Sequence, residues 1–518
     1  MDTLTTLLLI SPLIGIPLLM LMRAESARIV TFGVSLLPFA LSLAVYSAFL
    51  SGEPTANGYQ FYQQISWLGT SVSFSTGIDG ISIYMILLTT LLTPIVAIYS
   101  KEITQRQVLY FSMLLLLEFS ILGFFMALDV LLFYIFFELV LIPSLFFIGV
   151  WGDENRNAAG VKFFLYTLGG SLLMLVAIIY MGLHVTEYLS AESLATFGLE
   201  QGQFSTNYLA MLEADWPAEV TGWLFVAFFL SFGIKAPIFP LHTWQADAYA
   251  SAPVGGTVMM GAIMSKMGVY GLIRYGVPIF PEVMQEHATI LASLAVIGII
   301  YGAMAAIAQK DIKRLLAYSS LSHMGFIALG IFSMNPEAMS GAVIQMLAHG
   351  ISTAGLFLLA GMIETRTGTR QIADYGGLAK QMPAFAFLFI ISVMASVGLP
   401  GLSGFVGEFM IMIGAFQSSY LSAAFSILAA TGVIIAAVYL LGMTRKVMFG
   451  SDEDSKAKGV ADLNGLEVSL LMPLILLMFV VGLYATPFLQ NINPGTEDVL
   501  EYVEQVDGDQ SSSFALEE

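Results

Sequence analysis

Four charged residues interrupt long apolar runs of this chain. Glu138 lies in LLFYIFFELVLIPSLFF, Lys235 in LSFGIKAPIFPLH, Lys266 in GAIMSKMGVYGLIRYG and Glu408 in GLPGLSGFVGEFMIMIG. An ionisable side chain at mid-bilayer costs about 2.5–3.5 kcal/mol on insertion scales, so its presence asks for a use. An ion pair holding helices together is one such use, but polar hydrogen bonders or small residues join helices at less cost. Two acids and two bases in four different runs point instead to the handling of protons. Two histidines extend the set, His323 in SSLSHMGF and His349 in IQMLAHGIST. Imidazole titrates at about pH 6.5 when unperturbed, which suits a relay between Lys266 on one side and Glu408 on the other. Glu118, in the fourth apolar run, and His242, beside the seventh, are auxiliary candidates. His242 shares its place at a run edge with Asp79, Asp129 and Asp247, where capping or loop roles are the simpler reading.

Helix breakers accompany three of the four charges. Pro143 cannot donate to the carbonyl of Leu139, next to Glu138. Pro237 and Pro240 free the carbonyls of Gly233 and Ala236, on either side of Lys235. Around Pro400 the stretch GLPGLSG is too rich in glycine for a regular helix. Broken helices at membrane depth are tolerated where they are buried in protein or line a wet cavity. In transporters they mark ion sites at corresponding positions of two repeats. The breaks at Lys235 and Pro400 fall in the seventh and twelfth runs, five apart, which predicts two five-helix units with the second inverted.

The elements that must position these residues are membrane spans. Hydrophobic residues make up 57% of the 518 residues and charged residues 11%, against roughly 25% charged in soluble domains. Apolar runs near 4–22, 29–50, 80–99, 109–127, 129–150, 161–185, 219–240, 254–277, 288–308, 314–333, 338–363, 384–416, 421–443 and 466–487 predict an all-α polytopic membrane protein of about fourteen helices. Strands of alternating polarity are missing from the pattern, which argues against a barrel. The chain has no cysteine, which removes disulfides, iron–sulfur clusters and thiolate metal sites from consideration. A net charge of −18 disfavours nucleic acid as a partner.

The first run has Asp2 before it and Arg23 and Arg28 after it, the reverse of a signal peptide. It reads as a retained helix with its N-terminus outside, and fourteen spans return the C-terminus to the same side. With that orientation, 16 of the 19 basic residues fall in cytoplasmic loops or at their edges. The outer side is acidic, and the tail with Glu497, Asp498, Glu501, Glu504, Asp507, Asp509, Glu517 and Glu518 reads as solvated. The loop from Ser51 to Asp79, rich in Gly, Ser, Thr and aromatics, fits a short hairpin.

At this point the residues resemble a family. LLFYIFFELVLIP, FGIKAPIFPLHTW, SKMGVYGLIRYG, QKDIKRLLAYSSLSHMGF and GLPGLSGFVGEF are similar to the antiporter-like membrane subunits of respiratory complex I, NADH:quinone oxidoreductase. The resemblance runs from about the third span to the thirteenth. Such proteins have fourteen helices, inverted repeats of spans 4–8 and 9–13, and breaks in spans seven and twelve. Glu408 stands where the L- and N-type subunits and Mrp-type antiporters typically carry lysine, which is the M-type pattern, similar to mitochondrial subunit 4.

The resemblance implies roles. Glu138 is the glutamate paired with Lys235, Lys266 the central lysine, His323 and His349 the bridging histidines, and Glu408 the terminal residue of a proton path. It implies a redox-driven proton pump with no cofactor in this chain; FMN, iron–sulfur clusters and quinone are expected in partner subunits. The expected partners are L-type and N-type neighbours in a bacterial plasma (inner) membrane. The expected division is 1–108 for the first three helices and outer loop, 109–277 and 288–443 for the two repeats, and 444–518 for the last helix and acidic tail. An Mrp-type cation/proton antiporter subunit and a membrane subunit of a related hydrogenase complex are the alternatives.

Overall fold

The computed structural model describes residues 3–53, 58–68, 72–451 and 455–517. Helices α1 (Thr3–Leu21) and α2 (Ala27–Ser51) lead into the expected hairpin, β1 (Gln60–Leu68) paired antiparallel with β2 (Val72–Ile78). There follow α3 (Ser82–Tyr99), α4 (Gln107–Met126), α5 (Val130–Trp151), α6 (Arg156–His184), α7 (Ala218–Lys235) and α8 (Val254–Ile279). The second half holds α9 (Pro281–Ile307), α10 (Ile312–Phe332) and α11 (Pro336–Thr367). It continues through α12 (Pro383–Val397), α13 (Ser403–Gln417), α14 (Ala424–Phe449), α15 (Gly465–Leu483) and α16 (Thr486–Glu517).

Among the described residues, thirteen helices are long and apolar enough to cross a membrane. The span at 384–416, expected to be broken around Pro400, is two shorter helices, α12 and α13. The reason is local. Gly398 and Gly401 adopt φ of +83° and +93°, a region that suits only glycine, and Gly398 ends α12. The two halves together supply the fourteenth crossing.

Burial sorts the helices by role. The apolar windows of α8 and α11 are wholly buried, and that of α10 is 94% buried. Those of α2, α14 and α15 are a third buried or less, and they turn side chains such as Leu36, Ile434 and Leu476 outward. A charge can be held inside lipid only on a helix surrounded by protein. The three central helices are the ones that carry Lys266, His323 and His349.

The two ends of the bundle differ. One end carries the hairpin and α16. The other gathers ion pairs between loops: Lys162 and Arg314 on Asp247 (2.9 and 3.1 Å), and Arg370 on Asp153 (3.1 Å) and Asp311 (3.0 Å). Burial works to raise Asp153, but hydrogen bonds from Ser251, the Asn155 backbone and Arg370 hold it below the usual carboxylate range. Arg366 also pairs with Glu467 there.

The tail acids Glu497, Asp498, Glu501 and Glu504 are exposed, as expected, but they ride on a helix with one buried face. Residues from Thr486 onward form α16, whose Ile492, Thr496, Val499, Leu500 and Val503 are buried against the bundle. Thr496 meets the Ser340 hydroxyl at 2.9 Å, and Gln285 donates to the Val503 carbonyl at 3.1 Å. The side chains of Asp507, Asp509, Glu517 and Glu518 lie outside the described part of the chain.

Candidate proton-handling site

The break after α7 is built as the prolines require. The carbonyl of Gly233, deprived of Pro237 as donor, takes the N–H of Ile238 at 2.7 Å, and the Trp244 indole caps the Ile234 carbonyl at 2.9 Å. Lys235 is the last residue of the helix and is buried. Its Nζ donates to the Phe137 carbonyl at 2.9 Å and lies 4.1 Å from the centre of the Phe137 ring. Phe137 sits three residues before the interruption of α5 at Val140. The expected contact with Glu138 is not closed. Glu138 is half-buried and makes no ion pair with Lys235 within 4.0 Å, although its charge is near enough to act on the ammonium. The lysine has taken a backbone carbonyl of the same helix instead of the carboxylate.

Lys266 follows a π-helical segment of α8, Met260–Met264, and a second one runs from Leu272 to Gly276. Such distortions leave backbone groups open to other partners and are frequent at functional sites. Lys266 Nζ reaches the Gly261 carbonyl (2.8 Å), the Ser265 hydroxyl (3.3 Å) and Nδ1 of His349 on α11 (2.7 Å). Helix α7 abuts α8 at Gly268, where an added Cβ would fall 2.4 Å from the Phe232 carbonyl. Lys235 and Lys266 are therefore carried by helices in backbone contact.

From His349 the line continues. Its ring centre is 5.3 Å from that of His323 on α10. His323 Nδ1 lies 2.6 Å from Oε1 of Glu408 on α13, and its Nε2 lies 3.2 Å from the Ser396 hydroxyl on α12. Gln345, one turn before His349, donates to the same Glu408 oxygen at 3.2 Å. Lys266, His349, His323 and Glu408 thus stand in one buried row across four helices, all near the middle of their helices except Glu408, which follows the break.

The auxiliary candidates stand apart from this row. Glu118 is wholly buried on α4, with the Thr93 hydroxyl as its polar neighbour and no hydrogen bond closed to either carboxylate oxygen among the described residues. His242 is buried between the Phe239 and Tyr301 rings. Asp129 caps α5, accepting from the N–H groups of Leu131 (3.0 Å) and Leu132 (3.1 Å). Asp79 caps α3 through the Ser82 N–H (2.9 Å) but also pairs with buried Arg274, a contact not expected from the sequence.

Comparison with known proteins now places the chain. Residues 127–435 match the transmembrane region of the NADH:quinone oxidoreductase/Mrp antiporter family. NADH-quinone oxidoreductase subunit M of Rhodobacter capsulatus is 37% identical over 490 residues, covering 92% of this chain and 91% of that one. This chain belongs to the subunit M family. Subunit M of Rickettsia bellii is 39% identical over 469 residues, covering 90% of both chains. A chain of respiratory complex I from Thermus thermophilus, solved with bound NADH, superposes with a TM-score of 0.85 at 34% identity, covering 96% of this chain and 99% of that one. The family match spans all six residues read as proton-handling and stops short of both the hairpin and α16.

Proposed function

We propose that this chain is a proton-translocating membrane subunit of an NADH:quinone oxidoreductase and that protons move through Lys235, Lys266, His349, His323 and Glu408. The row from Lys266 to Glu408, hydrogen-bonded at its two ends (2.7 and 2.6 Å) with the two imidazole rings 5.3 Å apart between them, carries this reading. NADH oxidation and quinone reduction belong to partner subunits with FMN and iron–sulfur clusters, and separate L-type and N-type subunits are its neighbours in the membrane. The hairpin end faces outward and the ion-paired loop end faces the cytoplasm, with two inverted units at 109–277 and 288–443.

The chemistry follows from the donors. With Lys266 charged, Nδ1 of His349 accepts and the ring hydrogen sits on Nε2, on the side free to serve His323. A proton taken up at Nδ1 makes His349 a cation. Release from Nε2 toward His323 then passes one charge along the row, and the His323–Glu408 bond delivers it to a carboxylate. Glu138 supplies the control. Opposite charges about 6 Å apart at an effective dielectric of about 20 attract by about 2.8 kcal/mol. Moving one charge against 100 mV costs about 2.3 kcal/mol, so closing or opening the Glu138–Lys235 pair is a switch of the right size.

Lys235→Ala in the assembled complex tests this. Coupled proton pumping should fall strongly, while the complex stays intact on native gels and still passes electrons from NADH to an artificial acceptor that bypasses quinone. Wild-type pumping by a fully assembled variant would reduce Lys235 to a helix cap.

A further inference from the structure

At the hairpin end, a cavity of about 310 Å³ opens between the hairpin, the end of α8 and α16. Asp498 and Glu501 of α16, Glu213 and Tyr502 line its mouth, and Asp79 and Arg274 line it as well. The Arg274–Asp79 pair is buried, with both side chains 5% exposed. Arg274 also donates from Nε to the Tyr270 hydroxyl at 3.3 Å, and that hydroxyl meets the Phe125 carbonyl at 3.3 Å. Tyr270 lies four residues after Lys266 and Arg274 four after Tyr270, so the three follow one face of α8. Eight residues of helix rise about 12 Å, which brings the face from the proton row to the cavity.

We propose that Arg274, held by Asp79, plugs the outer end of a branch that runs from Lys266 along α8 to this cavity, and so keeps outside protons from reaching the row. This rests on the pump reading above and on its orientation. The plug follows from the chemistry of the pair. A proton entering from outside meets Asp79 as the first buried acceptor, and Asp79 is committed to the guanidinium. Protonating it would leave Arg274 charged, buried and unpaired, which is the costly state of a buried pair. An arginine at the narrow point of a pore is a known kind of barrier to cations and protons. The acidic mouth gathers protons, and the pair stops them. An ion pair serving only to hold the hairpin to α8 would not need to lie at the foot of a solvent cavity, nor to continue the face of Lys266.

The test uses the whole complex in sealed vesicles with an imposed pH gradient, acid on the outer side, and no NADH. The double variant Arg274→Gln/Asp79→Asn keeps hydrogen bonding and removes both charges. It should dissipate the gradient several-fold faster than wild type. Adding Lys266→Ala should restore the wild-type rate, because the branch ends at Lys266, and adding Tyr270→Phe should slow the leak. A double variant as tight as wild type overturns the plug, and so does a leak that persists without Lys266. If the double variant fails to assemble, Arg274→Lys replaces it. That variant keeps the charge and loses the guanidinium fork, so it should show a smaller leak with the same dependence on Lys266, and a tight membrane overturns the proposal there too. Normal pumping by Lys235→Ala would remove the pump reading itself, whereas tight vesicles beside a pumping-dead Lys235→Ala would remove the plug alone.

Discussion

Glu408 takes two bonds on one oxygen, from His323 and from Gln345, so its second oxygen is left to exchange a proton elsewhere. Glu408→Gln keeps size and hydrogen bonding but cannot titrate. Pumping should fall on the order of 10²-fold or more, the usual consequence of removing an acid–base group from a proton step. Assembly should stay normal, and Glu408→Asp should keep part of the activity. Glu408→Lys decides between two requirements. Partial rescue means that any titratable group serves, and loss as deep as in the Gln variant means that the sign of the charge matters. Normal pumping by the Gln variant, read as acidification on NADH addition, would place the end of the path at another residue. The charged members of this row were legible in the sequence because a charge in an apolar run is conspicuous. Gln345 and Ser396 were not, since neutral polar side chains are common in packed membrane helices. The four-residue spacing of Gln345 and His349 was the available signal. The Arg274–Asp79 pair joins residues 195 apart in sequence, which no local pattern encodes.

The helices that hold the row meet at glycines. At Gly268 a methyl group would stand 2.4 Å from the Phe232 carbonyl and 2.5 Å from the Ala236 nitrogen, both backbone atoms that cannot rotate away. Gly268→Ala should therefore force α7 and α8 apart, at a cost of about 1–3 kcal/mol as for other overpacked sites. It should lower the temperature of thermal inactivation and reduce pumping, because Lys235 and Lys266 ride on these two helices. Gly169→Ala on α6 is the control, since nothing lies within 4 Å of its added methyl, and it should match wild type. Equal thermal behaviour of the two variants would mean that the close approach has no energetic weight. The breaks in the seventh and twelfth runs were readable from Pro and Gly, and the second falls in the GLPGLSG stretch that divides α12 from α13. The fate of the tail was readable in principle. Positions 492, 496, 499, 500 and 503 form a stripe at helical spacing, but the density of acids around it gave the impression of a solvated segment.

Across the whole molecule, charge sorts by end. Loop arginines and lysines pair with Asp153, Asp247, Asp311, Asp374 and Glu467 at one end, while the hairpin, Glu213 and the acids of α16 share the other. Basic loops remain cytoplasmic during insertion, which supports our proposal that the paired end is the inner one and that both termini lie outside. An even number of crossings demands that the termini share a side, and thirteen long helices with one broken pair supply it. The absence of native cysteine makes the expectation simple to check. Single cysteines at Ser455 and Ser511 place a thiol at each end of the molecule. An impermeant thiol reagent added to intact cells should label the Ser511→Cys variant and leave the Ser455→Cys variant unlabelled, and opening the membrane should expose both. The reverse pattern would turn the molecule over. The cavity beside α16 would then face the cytoplasm, Arg274 would guard proton entry instead of exit, and the direction assigned to the row from Lys235 to Glu408 would have to be argued again from the other side.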